Sequence, residues 1–285
     1  SIQPYMKDYS VLGGGAVSIL GNANVSDYAI RSQILGTANE VTGKDGAISA
    51  LNTVSGFGNK AESISRSSII GTGNELKGGE NNVIIGDYHK LKDGKRNVIL
   101  GSMETREEII EKVAKSALPS PIGKDAKYTI KKYNPLIDHT KDIEEAVMLG
   151  YNTDVSQNGG VALGANSIAS TKAGIAGYDP ITKEASTATE RKWKSTWAAV
   201  SVGDGTNTRQ ITGVAAGTAD TDAVNVAQLK KAMENAGGGS GTGGTPISII
   251  AGDGIKVAHE GSTYTISSTV TGGAGGSGGP LKFAD

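Results

Sequence analysis

Histidine is the side chain best suited to proton transfer near neutral pH, and the chain has three: His89, His139 and His259. They stand far apart in sequence, so neither a metal cluster nor a nucleophile–base pair is spelled out. Asp138-His139-Thr140 sets an acid beside an imidazole. No nucleophile elbow or second histidine accompanies it, and the segment reads as a solvated loop. Gly43-Lys44 and Gly123-Lys124 are each followed by Asp rather than Ser or Thr, which excludes a phosphate-cradling loop. Cysteine is absent, which removes disulfides, thiolate metal sites and cysteine nucleophiles together. Asn24-Val25-Ser26 fits a glycosylation acceptor but lies inside a repeat and reads as incidental, and Asp253 between two glycines reads as a turn residue. No catalytic, cofactor-binding or metal-ligating residue is expected. The chain reads as a non-enzyme.

What the chain carries instead is a repeat. Apolar-apolar-Gly recurs as Ile19-Leu20-Gly21, Ile34-Leu35-Gly36, Ile69-Ile70-Gly71, Ile84-Ile85-Gly86 and Ile99-Leu100-Gly101, with Val54-Ser55-Gly56 filling the gap. The glycines recur at one constant interval, broken only by a longer step from Gly36 to Gly56. Four copies continue to an asparagine three positions on: Asn24, Asn39, Asn59 and Asn74. The motif returns at Met148-Leu149-Gly150 and Ala162-Leu163-Gly164, and weakly at Ile175-Ala176-Gly177. About fifteen residues hold two short strands and two turns, one coil of a β-solenoid in which each coil touches only its neighbours. Glycine supplies the bend, asparagine suits a ladder between coils, and the β-branched positions fill the interior. Glycine numbers 42 and aromatic residues make up 5%, which fits many turns around a core too narrow for rings. The formal net charge of −1 gives no pull toward nucleic acid. No apolar run is long enough to span a membrane. The chain reads as a piece of something longer, with export signal and anchor outside it.

From Ala176 the sequence grows more specific. Trp193-Lys194-Ser195-Thr196-Trp197-Ala198-Ala199-Val200-Ser201-Val202-Gly203 is followed by Arg209-Gln210-Ile211-Thr212-Gly213-Val214-Ala215-Ala216-Gly217 and by Asp222-Ala223-Val224-Asn225-Val226-Ala227-Gln228-Leu229. Thr218 to Asp222 is rich in residues that cap helices, and Val226, Leu229, Met233 and Ala236 follow at 3, 4, 3 spacing, a two-heptad seam. These strings resemble the Trp-containing module and neck of the trimeric autotransporter adhesins (type Vc secretion), and the upstream coils resemble the family's YadA-like head.

The resemblance implies an all-β fold with a short coiled coil: a homotrimeric, left-handed parallel β-roll head, a Trp-ring-like β module, a neck helix and a small post-neck β module. The expected segments are head coils over 1–101, an insertion over 102–146, last coils over 147–177, the Trp module over 178–213, neck and short coiled coil over 214–236, a Gly-rich linker over 237–246 and a truncated post-neck module over 247–285. It implies that Asp222, Val224, Asn225, Val226, Gln228, Leu229 and Met233 hold the three chains together at the neck, with hydrogen bonds between chains from Asp222, Asn225 and Gln228. Trp193 takes the family's tryptophan position and gives one ring of a buried three-ring layer; Trp197 has no assigned role. Function by resemblance is attachment at the surface of a diderm bacterium to a host glycoprotein, such as a carcinoembryonic-antigen-related receptor, or to collagen or fibronectin. The membrane is reached only through an anchor outside the chain. No cofactor is implied. A phage tail-fibre segment is the alternative, and a left-handed β-helix acyltransferase fits less well because its step is six residues.

The insertion breaks the repeat. Glu104 to Ala117 reads as an amphipathic helix with Ile109, Ile110, Val113 and Ala117 on one side, ended by Pro119 and Pro121. Lys127 to Ile130 reads as a short strand and Tyr133-Asn134-Pro135 as a turn. Insertions in solenoids project from one face, often the binding face. Tyr128, Tyr133 and Ile137 are the candidate partner-binding residues; bracing of the roll, or exchange between chains, are the other readings of this segment.

Overall fold

The computed structural model describes residues 16–115, 125–236, 249–260 and 263–269. The linker expected over 237–246, the segment before Ala16, residues 116–124 with Ala117, Pro119 and Pro121, and residues 247–248, 261–262 and 270–285 of the post-neck segment lie outside them. The chain divides into two units, Ser1–Gln210 and Ile211–Asp285.

The first unit is built from parallel strands. One sheet of nine runs Ser18–Asn22, Gln33–Thr37, Thr53–Phe57, Ser68–Thr72, Val83–Ile85, Val98–Leu100, Val147–Leu149, Val161–Leu163 and Val200–Ser201. A second sheet of five runs Val25–Asp27, Glu40–Thr42, Lys60–Glu62, Glu75–Lys77 and Lys90–Lys92. Single bridges Ala50–Ser65–Glu80–Lys95–Glu144 make a thin third wall. Every neighbour within these walls pairs in parallel, so each coil adds one strand to each wall.

Register puts like on like. Ile19, Ile34, Val54, Ile69, Ile84, Ile99, Met148 and Ala162 form one column, and from Ile34 onward all are fully buried. Val41, Ala61, Leu76 and Leu91 face them from the second sheet. Alternation explains the pattern: the residues on either side of each buried one point outward. A buried Ile contributes about 1.5–3 kcal/mol. A coil burying three or four such groups is marginal alone and stable only when stacked.

The glycine column has a steric cause. Gly71 and Gly86 have φ of 144° and 152°, and a Cβ on either would collide with the carbonyl oxygen of the next glycine in the column. Three positions on, the asparagines form a buried ladder. Asn39, Asn59 and Asn74 each offer Oδ1 to the backbone N–H of the next rung at 3.0–3.2 Å. Each sends Nδ2 to the glycine carbonyl of the next coil, for example Asn59 to Gly71 at 2.7 Å and Asn74 to Gly86 at 2.8 Å. A second ladder, Asn52, Ser67, Asn82 and Asn97, lines another corner.

The insertion differs from expectation. Thr105–Ala114 is a strand, not a helix, paired antiparallel with the unbroken strand Ala126–Pro135, so the expected short strand and turn there are replaced as well. ETREEIIEKVA carries apolar residues that serve either period. Its β-branched Ile109, Ile110 and Val113, set against a Tyr-, Thr- and Ile-bearing partner, decide for the strand. Val83 pairs with Val98 before the insertion and Val98 pairs with Val147 across it, so the whole ribbon is added between adjacent strands and the register of the roll stays intact.

Val200–Ser201, from the Trp-containing segment, pairs in parallel with Val161–Leu163 as the last strand of the nine-stranded sheet. Arg209 closes that end. Its guanidinium donates to Ser167 Oγ at 3.1 Å, Val202 O at 2.6 Å and Ala165 O at 2.7 Å.

In the second unit, Val226–Ala236 is helical. Ile255–Glu260 and Thr263–Ser268 form an antiparallel hairpin, with Asp253 and Gly254 in the turn before its first strand. Ile249 and Ile250 lie outside the strand expected there.

Candidate functional site

The ribbon is largely exposed, and its register sorts the candidate residues. Directly opposed residues share a face. Tyr133 lies opposite Glu107, and Tyr128 opposite Lys112. Five positions separate the two tyrosines, so they occupy opposite faces and the structure does not gather them into one patch. Tyr133 turns toward the roll, its ring 5.7 Å from Tyr88. Burial first, then Tyr133 and Asp87, raise the Tyr88 phenol above its ordinary pKa. Tyr128 stays exposed on a face with Ile110 and Ile130. Ile137 is half-buried in the bend by which the ribbon returns. Lys131 to Glu107 at 3.1 Å and Asn134 to Glu108 at 2.9 Å tie the two strands across the ribbon.

Where the ribbon returns, the asparagine ladder changes chemistry. His89 takes the next rung after Asn74, and His139 and Asp154 continue the line. His89 Nδ1 lies 3.0 Å from His139 Nε2, the rings stacked at 14° with centroids 5.3 Å apart. His139 Nδ1 lies 2.8 Å from Asp154 Oδ1. All three residues are buried. This corrects the reading of His139 as a solvated-loop residue and of the histidines as isolated. The insertion carries His139 back into contact, which spacing alone cannot reveal. Burial, and next the charge of His139, lower the His89 pKa to about 4. No cluster of three or more His, Cys, Asp or Glu able to hold a metal occurs among the described residues.

Trp193 is half-buried, its carbonyl accepting the Gly177 N–H at 2.7 Å. Trp197 is 61% exposed and lies on the backbone of Gly159, where a Cβ would come 2.5 Å from its ring. The structure thus supplies the packing contact missing for this residue.

The helix start is capped otherwise than expected. Asn225, not a residue of 218–222, is the N-cap: its Oδ1 accepts the Gln228 N–H at 3.0 Å, and Gln228 Oε1 accepts the Asn225 N–H at 3.3 Å, a capping box. Gln228 also bonds the Gly217 N–H and carbonyl, at 3.0 and 2.9 Å. Asp222 Oδ2 accepts the Thr218 and Ala219 N–H groups at 2.9 and 3.0 Å, and bonds to Ala219 and then Thr218 hold its carboxyl below the usual range. Within the single chain, Asp222, Asn225 and Gln228 all bond to the loop before the helix or to its first turn. Polar side chains follow a local course because the loop before the helix folds back over its first turn. Val226, Leu229 and Met233 remain 66, 55 and 65% exposed, and Val224 is exposed beside them.

The first unit is a stack of parallel coils with polar ladders, and the second carries a capped short helix with an exposed apolar stripe. Residues 210–248 match the family described as the coiled stalk of trimeric autotransporter adhesin. The chain is 61% identical over 72 residues, 25% of its length, to autotransporter adhesin BadA of Bartonella henselae. It is 54% identical over 67 residues, 22% of its length, to trimeric autotransporter adhesin AtaA of Acinetobacter sp. (strain Tol 5). These matches support a trimeric autotransporter adhesin. The matched stretch spans about 2% of the length of each of these relatives.

Proposed function

We propose that the chain forms part of a homotrimeric adhesin at the outer surface of a diderm bacterium and acts by binding, without turnover. One observation carries the reading: Val226, Leu229 and Met233 stand exposed on a helix within the stretch that matches the coiled stalk. A lone helix of 11 residues is marginal in water, whereas three copies sharing that seam bury it. The outward columns of the nine-stranded sheet, Val83 with Val98 and Ile70 with Ile85 and Leu100, give the roll an apolar face of the same kind. In the proposed assembly three left-handed rolls meet by this face, and Trp193 contributes one ring to a shared layer.

Both relatives are named as adhesins, which supports attachment. The ribbon, with Tyr128, Ile110 and Ile130 on one exposed face, is the proposed contact for a host glycoprotein or a matrix protein such as collagen or fibronectin. Three copies of a weak site on one particle raise avidity without further contacts.

Sedimentation equilibrium tests the assembly. The expected mass is three times the 29.0 kDa chain, falling to the monomer in a Val226→Ser, Leu229→Ser, Met233→Ser variant. A monomeric parent chain refutes the reading. Replacing 105–135 by a short turn should abolish receptor binding in a screen while the trimer persists; retained affinity removes the ribbon from the site.

A further inference from the structure

The ladder fixes where its protons are. A carbonyl oxygen only accepts, so His89 Nε2, 2.5 Å from Gly101 O, carries a proton. It copies the Nδ2 donation that Asn59 and Asn74 make to the glycines of their next coils. His89 Nδ1 then holds a lone pair and accepts the Nε2–H of His139 across 3.0 Å. His139 Nδ1 faces the Asp154 carboxyl at 2.8 Å, and a hydrogen between these two completes the line. Each ring nitrogen has one partner and one role, and no position is left for another proton.

We propose that the His89–His139–Asp154 line is an acid-sensitive latch that fastens the returning end of the ribbon to the roll. A proton added to His89 at Nδ1 sets N–H against N–H across the His89–His139 contact. One ring must then leave, and His139 is the one on the inserted segment. Beyond its side chain, the return is tied to the roll by His139 N–H to Lys90 O at 3.2 Å and Asp142 N–H to Lys92 O at 3.0 Å, while Leu136 N–H to Glu104 O at 2.8 Å closes the ribbon's base. The other groups facing the latch are Asp87 on the turn of His89 and, on the outer surface, Lys90 with Asp138 at 4.0 Å and Lys141 with Asp93 at 3.7 Å. These ion pairs are exposed and contribute little to holding the segment. Burial sets the threshold: it brings His89 down to about 4, so the latch stays closed at neutral pH and opens only in distinctly acid surroundings. Coils held by Asn39, Asn59 and Asn74 have no such group. The ribbon presented in acid thus differs from the ribbon presented at neutral pH, whatever it binds.

Hydrogen exchange of the full chain at pH 7 and pH 4, corrected for the intrinsic exchange rate, tests this. Protection across 136–142 should fall by ~10-fold or more in acid, while the coils at 53–77 keep theirs. The His89→Asn variant, which carries no titrating ring and can still donate to Gly101 O as the other rungs do, should show the same protection across 136–142 at pH 4 as at pH 7. Uniform loss across all coils, or the same loss in His89→Asn, overturns the latch. Imidazole nitrogen NMR of the unaltered chain provides a reading independent of the variant. His89 should be the Nε2–H tautomer at neutral pH, and an Nδ1–H tautomer overturns the proposal.

Discussion

Asn59→Ala removes one rung from the middle of the ladder. Asn59 is fully buried; its Nδ2 donates to Asn39 Oδ1 at 2.9 Å and to Gly71 O at 2.7 Å, and its Oδ1 accepts the N–H and Nδ2 of Asn74 at 3.1 and 2.9 Å. After truncation, Asn39 Oδ1 keeps the Asn59 N–H and Asn74 Nδ2 keeps the Gly86 carbonyl. The Asn74 N–H is left without its acceptor, and the Gly71 carbonyl loses its side-chain donor. An unmet buried polar group costs about 1–3 kcal/mol, so the two together predict a loss of about 2–6 kcal/mol. Asn24→Ala provides the comparison. It is a half-buried first rung that water can reach, and its loss should cost less than about 1 kcal/mol. Urea unfolding followed by circular dichroism, at one protein concentration, measures both. Equal costs for the two variants, or an Asn59 cost no greater than that small surface value, would refute the idea that the ladder holds coils together.

Two further outcomes follow from single side chains. His89 binds its proton near 6.5 when unfolded and near 4 when folded, so the unfolded chain holds more protons between those values. Its contribution is fully present above about pH 6.5 and is lost as pH falls toward 4, a change of roughly 3 kcal/mol that urea midpoints against pH should show and His89→Asn should lack. Arg209→Ala should cost about 1–2 kcal/mol, with exchange rising first in Val161–Leu163, and Arg209→Lys should not restore it because lysine lacks the fork that reaches three oxygens.

The repeat was legible because its causes are local. A glycine whose Cβ would strike the next coil, an inward Ile and an asparagine three positions on all recur at one spacing, and sheet register follows from that spacing. The ribbon was not legible, since Glu104 to Ala117 satisfies both a helical and a strand pattern and the choice rests on its antiparallel partner Ala126–Pro135. His89 did carry a signal: it stands three positions after Gly86, where other coils have asparagine. His139 carried none, because the inserted ribbon displaces it from any fixed offset. The Asn225-x-x-Gln228 spacing is a capping-box signature that the sequence itself carried.

Why the roll tolerates so large an insertion also explains where the titratable rungs fall. A solenoid coil answers only to its neighbours, so a ribbon that leaves and re-enters at one corner costs loop closure and little else, provided both ladders bridge the gap. The second ladder bridges it with a neutral rung, Asn97 Oδ1 accepting the Ala146 N–H at 2.9 Å. On the first, Glu104 occupies the rung position before the ribbon and has its own bond to Asn152, at 3.3 Å, so the line must pass from His89 directly to the returning segment. A ring reaches farther than an amide and can both donate and accept along its length. Two imidazoles and a carboxylate therefore span what asparagine spans elsewhere, and the corner that the ribbon interrupts is the one that gains a dependence on protons.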